Sequence, residues 1–376
     1  MAGIYIHIPY CKVACHYCNF HFSTNKKTLN DFIKALLLEI ELQRQFLKNE
    51  TIETIYFGGG TPSVLKIQDV ETILNKLHDN FSIANEIEIT LEANPDDISK
   101  EKIIEWKHAG INRFSLGIQS FFDEDLKWMN RSHNAEAALN SLRWVSQAGF
   151  QNTNIDLIYG LPKMSLQHWQ KNIETFMQFN LPHLSAYCLT VEPKTVLHKL
   201  VKTGTATVAN DDLASAHFDL LIQLLLQHGY EHYEISNFAK PGQYSKHNTA
   251  YWEGKKYLGL GPSAHSYDGN NRQWNVANNM KYINSLLKEE KLLFEKEQLT
   301  TANQFNELLM TSLRTQWGLP IALLKEKFPA EMLNILEKEL QPYLKSQHIA
   351  LDNGVLKLTH IGKFIADRIL SDLMMV

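Results

Sequence analysis

Cysteine is scarce, with four in 376 residues. That excludes a small secreted domain stapled by disulfides and fits a reducing compartment. No apolar run reaches the roughly 20 residues that span a bilayer. The opening, MAGIYIHIPY, shows neither a basic segment nor a cleavage signal before its first apolar strand, so a cytoplasmic protein is expected. Charge of one sign is missing too. Lys and Arg number 37 against 41 Asp and Glu, a net charge of −4 without a long basic run. Nucleic acid is therefore not indicated as a partner. No internal repeat or low-complexity linker breaks the chain. What remains is ordinary for a folded protein, 44% hydrophobic and 21% charged. The length suggests one large domain and a smaller one, ample for a sizeable core.

Three of the few cysteines lie together. Cys11, Cys15 and Cys18 form a C-x3-C-x2-C pattern just after the apolar run Ile4–Ile8. A disulfide would use two and strand the third. Thiolates hold iron–sulfur clusters. Three on one short loop can bind three corners of a cubane and leave the fourth iron open to a small ligand. A structural zinc site is the competing reading, with His7, His16 or His21 as fourth ligand. Cys188 lies in an apolar strand and reads as a buried structural thiol.

The first two hundred residues alternate. Strand-like runs at Ile4–Ile8, Ile52–Phe57, Glu86–Glu92, Arg113–Ile118, Thr153–Ile158 and His183–Leu189 are separated by amphipathic helical stretches. Those stretches are Thr28–Leu47, Ile67–Asp79, Ser99–His108, Asp123–Gln147 and Ser165–Phe179. This order predicts a parallel α/β sheet. Arg113, Ser115 and Gln119 share one strand face, as do Asn152, Asn154 and Asp156. A sheet covered on both sides would read as continuous apolar runs, and a closed eight-stranded barrel would be filled with apolar side chains. Polar inner faces on six strands predict an open, partial (β/α)6 barrel around a polar ligand. Chemistry in such folds sits at the carboxyl ends of the strands. There the sequence places the cysteine loop, Gly58-Gly59-Gly60-Thr61-Pro62, Glu92-Ala93-Asn94-Pro95, Gln119-Ser120, and Asp156 with Tyr159-Gly160-Leu161-Pro162.

After residue 200 the alternation stops. Ala209–His228 is helical, and a tyrosine- and histidine-rich region runs from Tyr230 to Tyr267. From about residue 300, helices at Asn303–Thr315 and Ala330–Leu344 precede a hairpin over Ile349–Leu358, turning at Asn353-Gly354, and a last helix over Thr359–Met374. The expected organisation is a barrel over residues 1–200, an extension over 201–299 and a winged-helix-like C-terminal α+β domain over 300–376. The tail has no basic excess and reads as a lid or partner surface.

YIHIPYCKVACHYCNF, YFGGGTPS, LEANPD, SLGIQSF, NIDLIYGLP and LSAYCLTVEPKT together resemble the oxygen-independent coproporphyrinogen III oxidase group of the radical S-adenosylmethionine (SAM) superfamily. HYEISNFAKPGQYSKHNTAYW, followed by YLGLGPSAHSY, resembles its heme-chaperone branch. The resemblance spans about residues 3 to 375 and loosens beyond 267. It implies that Cys11, Cys15 and Cys18 hold a [4Fe-4S] cluster whose open iron is chelated by the amino and carboxylate groups of SAM. Further cofactor contacts are implied for Tyr5, Tyr17 and the Gly58, Gly59, Gly60, Thr61 turn. Glu92, Gln119, Arg131 and Thr190 are implied likewise, with Asp156 on the ribose. His247, in His247-Asn248-Thr249-Ala250-Tyr251-Trp252, is the implied candidate for heme iron, with His232 and His265 as competitors, and its position beyond the sixth strand is expected to leave heme near the barrel mouth or outside it.

Two departures separate the chain from the oxidases. They carry a further cysteine two residues after the third, where Phe20 stands here, and a long extension before the first strand. Both favour a carrier that binds heme and hands it to an acceptor protein, soluble or membrane-bound. The alternatives are oxidative decarboxylation of coproporphyrinogen III or another radical SAM reaction. Oligomeric state and the identity of the acceptor are left open.

Overall fold

A computed structural model describes residues 2–375. The six expected strands form; the first five gain one or more residues at an end, and the sixth ends one residue early, at Cys188. They are β1 (Ala2–Ile8), β2 (Ile52–Gly59), β3 (Ile83–Ala93), β4 (Arg113–Gln119), β5 (Thr153–Tyr159) and β6 (His183–Cys188). Neighbours in the chain are neighbours in the sheet, all parallel. Alternation explains the two faces. Ile4, Ile6 and Ile8 are fully buried in the main apolar core, while Tyr5 and His7 point to the concave side. Helices α1 (Leu29–Leu42), α2 (Ile67–Asn80), α3 (Lys100–His108), α4 (Asp123–Trp128), α5 (Ala135–Gln147) and α6 (Leu166–Gln178) intervene along the chain.

The single helix expected over 123–147 is two. Asn130 adopts a left-handed φ of 58°, and the Asn134 side chain accepts from the Ala137 N–H to cap α5. The resulting bend carries Arg131.

The extension is more strand-rich than its sequence suggests. After α7 (Val196–Lys202) and α8 (Asp211–Gln227) comes the antiparallel pair β7 (Glu231–Glu234) and β8 (Asn237–Ala239), of which β8 adds antiparallel to the β6 edge. The helix α9 (Lys246–Trp252) leads to β9 (Lys256–Leu260), which pairs parallel with β1. Next come β10 (His265–Tyr267), β11 (Asn271–Asn275), α10 (Asn279–Glu289) and β12 (Phe294–Gln298). The sheet therefore runs β12-β11-β10-β9-β1-β2-β3-β4-β5-β6-β8-β7, and its ends do not meet. The open barrel stands, with seven parallel strands rather than six.

The remainder has its own apolar core, from Phe305 to Leu373. It comprises α11 (Thr301–Leu313), β13 (Leu319–Pro320), α12 (Ile321–Lys327), α13 (Ala330–Lys345), the hairpin β14 (Ile349–Asp352) and β15 (Val355–Leu358), α14 (His360–Phe364) and α15 (Ala366–Leu373). The expected last helix is broken at Ile365, and Gly362 lies so close to the His348 carbonyl that a Cβ there would fall 1.9 Å from it. Backbone bonds from Ile235 N to Arg314 O (3.0 Å) and from Gln316 N to Tyr233 O (2.9 Å) stitch this core to β7 and the turn after it. No helix among the described residues is long and apolar enough to cross a membrane.

Candidate functional site

The carboxyl ends of the strands surround a cavity of about 340 Å3. Cys11, Cys15 and Cys18 line its mouth, and the thiols are unpaired and half-buried. Their loop is held from several sides. Cys11 N donates to Ser23 O at 3.0 Å, and Thr61 Oγ1 donates to Cys11 Sγ at 3.4 Å. Lys12 pairs with Asp96 at 2.7 Å and with Asp97. Burial pushes the Cys11 thiol up to about 11 and raises Cys18, so bare thiolates are disfavoured until a cation shares their charge.

The glycine turn has a steric reason. A Cβ on Gly60 would sit 2.8 Å from the carbonyls of Ile8 and Tyr10 and 3.0 Å from Cys11 Sγ. Gly59 has φ 107°, a region that side chains avoid. Gln119 ends β4 with a left-handed φ of 65° although it is not glycine, a local strain of the kind found at ligand sites.

Arg131 is the hub. Nη2 donates to Asn94 Oδ1 (2.6 Å) and Gly117 O (2.9 Å), and Nη1 donates to Cys15 Sγ (3.3 Å) and Tyr17 Oη (3.4 Å). Among the described residues its buried Nε has no partner. Opposite, Glu92 accepts from Tyr56 Oη at 2.8 Å, and Asp156 accepts from Asn154 Nδ2 at 2.8 Å. Burial pushes Glu92 up to about 7, with the Asp156 charge adding to it, and pushes Asp156 up to about 6. These two poorly solvated carboxylates and one orphaned guanidinium N–H suit a zwitterionic, hydroxyl-bearing ligand.

Most of the residues singled out in the sequence meet here. Tyr17, Gly59, Gly60, Thr61, Glu92, Gln119, Arg131, Asp156 and Thr190 line the cavity with the three cysteines. Gly58 does not; it packs behind, where a Cβ would strike the rings of Tyr5 and Tyr56. Tyr5 turns away, its hydroxyl 3.2 Å from His7 Nδ1, and lines a neighbouring cleft. Asn94 was visible only as part of a strand-end run; its role in holding Arg131 had no separate signal.

Two expectations are corrected. Cys188 is exposed at the cavity rim, not buried, because β8 pairs only with residues 183–185 of β6 and leaves the strand end open. His247 is not at the barrel mouth. It is 3% exposed on the floor, where a Cβ on Gly3 would meet both its ring and Thr54. Nδ1 is 2.7 Å from Thr54 Oγ1 and Nε2 is 2.9 Å from Tyr251 Oη, so neither nitrogen faces open space. The glutamate Glu88 of β3 accepts the His247 backbone N–H and pins this end of α9. Burial holds the pKa of the His247 imidazole down to about 3.

The imidazoles proposed for zinc are also engaged. His7 Nε2 lies 2.8 Å from His21 O, His16 Nδ1 2.8 Å from Trp128 O, and His21 Nε2 2.6 Å from Asn279 Oδ1. Among the described residues no group of three or more His, Cys, Asp or Glu side chains is gathered tightly enough for one metal ion. Three thiols without a nearby fourth donor suit a cluster with an open corner better than a tetrahedral ion.

The comparisons agree with this geometry. Residues 5–176 match the Radical SAM superfamily, and residues 299–365 match the HemN C-terminal domain. The heme chaperone HemW of Bacillus subtilis (strain 168) is 31% identical over 371 residues, covering 98% of each chain. This chain belongs to the HemW family of radical SAM proteins. The Escherichia coli (strain K12) HemW is 36% identical over 265 residues, 70% of this chain and 69% of its own. Among solved structures, the radical SAM enzyme coproporphyrinogen III oxidase (HemN) from Escherichia coli superposes with a TM-score of 0.86 at 22% identity, covering 99% of this chain and 90% of that one. That likeness bears on the fold alone.

Proposed function

We propose that this protein is a heme chaperone that carries a [4Fe-4S] cluster on Cys11, Cys15 and Cys18, holds SAM in the 340 Å3 cavity, and passes heme to an acceptor protein. The observation that carries this reading is the set of three thiols at the cavity mouth, facing a buried Arg131 Nε with no partner. When bound, the cluster would supply an open iron to which SAM could attach. The chain's residues do the positioning. Arg131 offers a donor to a carboxylate, Glu92 and the glycine turn face an ammonium, and Asp156 accepts from ribose hydroxyls. By resemblance His247 is a candidate iron ligand for heme, but Thr54 and Tyr251 hold both of its ring nitrogens.

The test is anaerobic reconstitution followed by heme titration and a decarboxylation assay on coproporphyrinogen III. Expected are about four irons per chain, most of them lost in Cys11→Ala, Cys15→Ala and Cys18→Ala but kept in Cys188→Ala, together with heme binding and no decarboxylation. Decarboxylation without heme binding replaces the chaperone by the oxidase. Stoichiometric zinc with no iron removes the cluster.

A further inference from the structure

A second, larger cleft of about 980 Å3 opens beside the cofactor cavity, and Phe20 lines both. One wall is the concave face of β1, β9 and β10 with the end of α9, and the other is α11 and α12 of the C-terminal core. Its volume lies at the upper end of the roughly 300–1,000 Å3 that small-molecule sites occupy.

The lining suits a flat, apolar molecule with acidic edges. Tyr251, Tyr257 and Tyr267 form an aromatic run, with ring centroids 4.6 and 6.2 Å apart, and Leu308 of α11 faces the cleft. Lys255, Arg272 and Lys327 supply cations at its edges. Lys255 and Arg272 are partly offset by Glu253 (2.9 Å) and Glu307 (2.8 Å), whereas Lys327 has no ion pair among the described residues. The indole Nε1 of Trp252, also on this cleft, is buried without an acceptor. An orphaned donor beside cations marks a place for a carboxylate.

Three histidines line the cleft, and two are occupied. His7 bonds Tyr5 and the His21 carbonyl, and His21 bonds Asn279. The His265 side chain is exposed and makes no hydrogen bond among the described residues; its ring stacks 6.1 Å from Trp274. Partial desolvation by the cleft walls and the Arg272 charge lower its pKa, which keeps a lone pair on the ring at neutral pH.

We propose that this cleft is where the folded protein docks heme, with His265 as the axial ligand and Lys255, Arg272, Lys327 and Trp252 facing the propionates. The proposal rests on the chaperone reading and adds the site. It leaves His247 as a structural imidazole that fastens α9 to β2.

The experiment uses full-length protein and two probes, ferric heme followed by its Soret band and iron-free protoporphyrin IX followed by fluorescence. The variants are His265→Ala, His247→Ala and Leu308→Trp, each checked for fold by circular dichroism. His265→Ala is expected to weaken heme by about tenfold or more and to shift the Soret band, as loss of one strong contact implies. Its affinity for protoporphyrin IX, which needs no iron ligand, should be unchanged. Leu308→Trp fills the cleft and should weaken both probes. An unchanged heme spectrum and affinity in His265→Ala overturns the ligand, and unchanged binding of both probes in Leu308→Trp overturns the cleft. In either case the chaperone reading survives. Absence of heme binding by the wild type overturns both.

Discussion

Arg131 and Asp156 separate two roles within one cavity. The guanidinium touches Cys15, Tyr17, Asn94 and Gly117, so it ties the cysteine loop to β3 and β4 as well as facing the ligand space. Asp156 touches no cysteine. Both Arg131→Ala and Asp156→Asn are expected to cost SAM binding about 1.5–3 kcal/mol, the loss of a charge-assisted bond. Only Arg131→Ala should also lower iron content after reconstitution. Calorimetric titration with SAM and an iron assay check both, and full iron retention in Arg131→Ala would show that its bond to Cys15 does not matter. The cysteines and the glycine turn were readable because few residue types fit thiolate ligation or a φ of 107°. The burial of Cys188 was misread because apolar neighbours say nothing about where a pairing strand stops. His247 was misplaced for a related reason: a histidine among aromatics reads alike in a floor and in a mouth.

At the scale of elements, Glu39 of α1 deserves a pH titration. Its buried carboxylate accepts from Gly261 N (2.7 Å), Asn275 Nδ2 (2.6 Å) and Tyr282 Oη (2.5 Å), fastening β9, β11 and α10 to the barrel. Burial pushes its pKa from an ordinary 4.5 up to about 7. Between those values the native state binds more protons than the unfolded one. This contribution to stability is therefore full below about pH 4.5 and falls as pH rises towards 7, by on the order of 3 kcal/mol. Glu39→Gln should flatten urea midpoints across that window, and an unchanged slope would mean that another group titrates. The six barrel strands were legible because each repeats a two-residue alternation. β7 to β11 were not, because they are three to five residues long, and β8 and β9 join the barrel through β6 and β1, which lie far away in sequence. The break between α4 and α5 hid because Asn134 looks like any polar helix residue until its cap is formed.

For the whole molecule, the two apolar cores meet across a seam that holds a half-buried amine. Lys363 of α14 lies 2.9 Å from His232 Nδ1 of β7, and burial lowers its pKa from an ordinary 10.5 to about 8. The unfolded chain keeps that proton longer, so between about pH 8 and 10.5 stability should rise with pH. Lys363→Met should abolish the rise without lowering stability at pH 7, as read from thermal midpoints between pH 7 and 10. A rise that persists in the variant would assign it elsewhere. The existence of the second core was legible from the change in pattern near residue 300, but this seam was not, since it depends on contacts between segments about 130 residues apart.

β1 also sets a timetable. It carries the cysteine loop, yet one of its two edges is covered by β9, whose Leu258 pairs with Ile4 about 250 residues earlier in the chain. At translation speeds of about 5–20 residues per second, that edge stays bare for roughly 10–50 s on the ribosome. An uncovered strand edge invites pairing with other chains. The segment that leads into the three cysteines is thus made early and sheathed late. Nascent-chain protection of β1, rather than of any later strand, is where a folding factor has the longest opportunity to act.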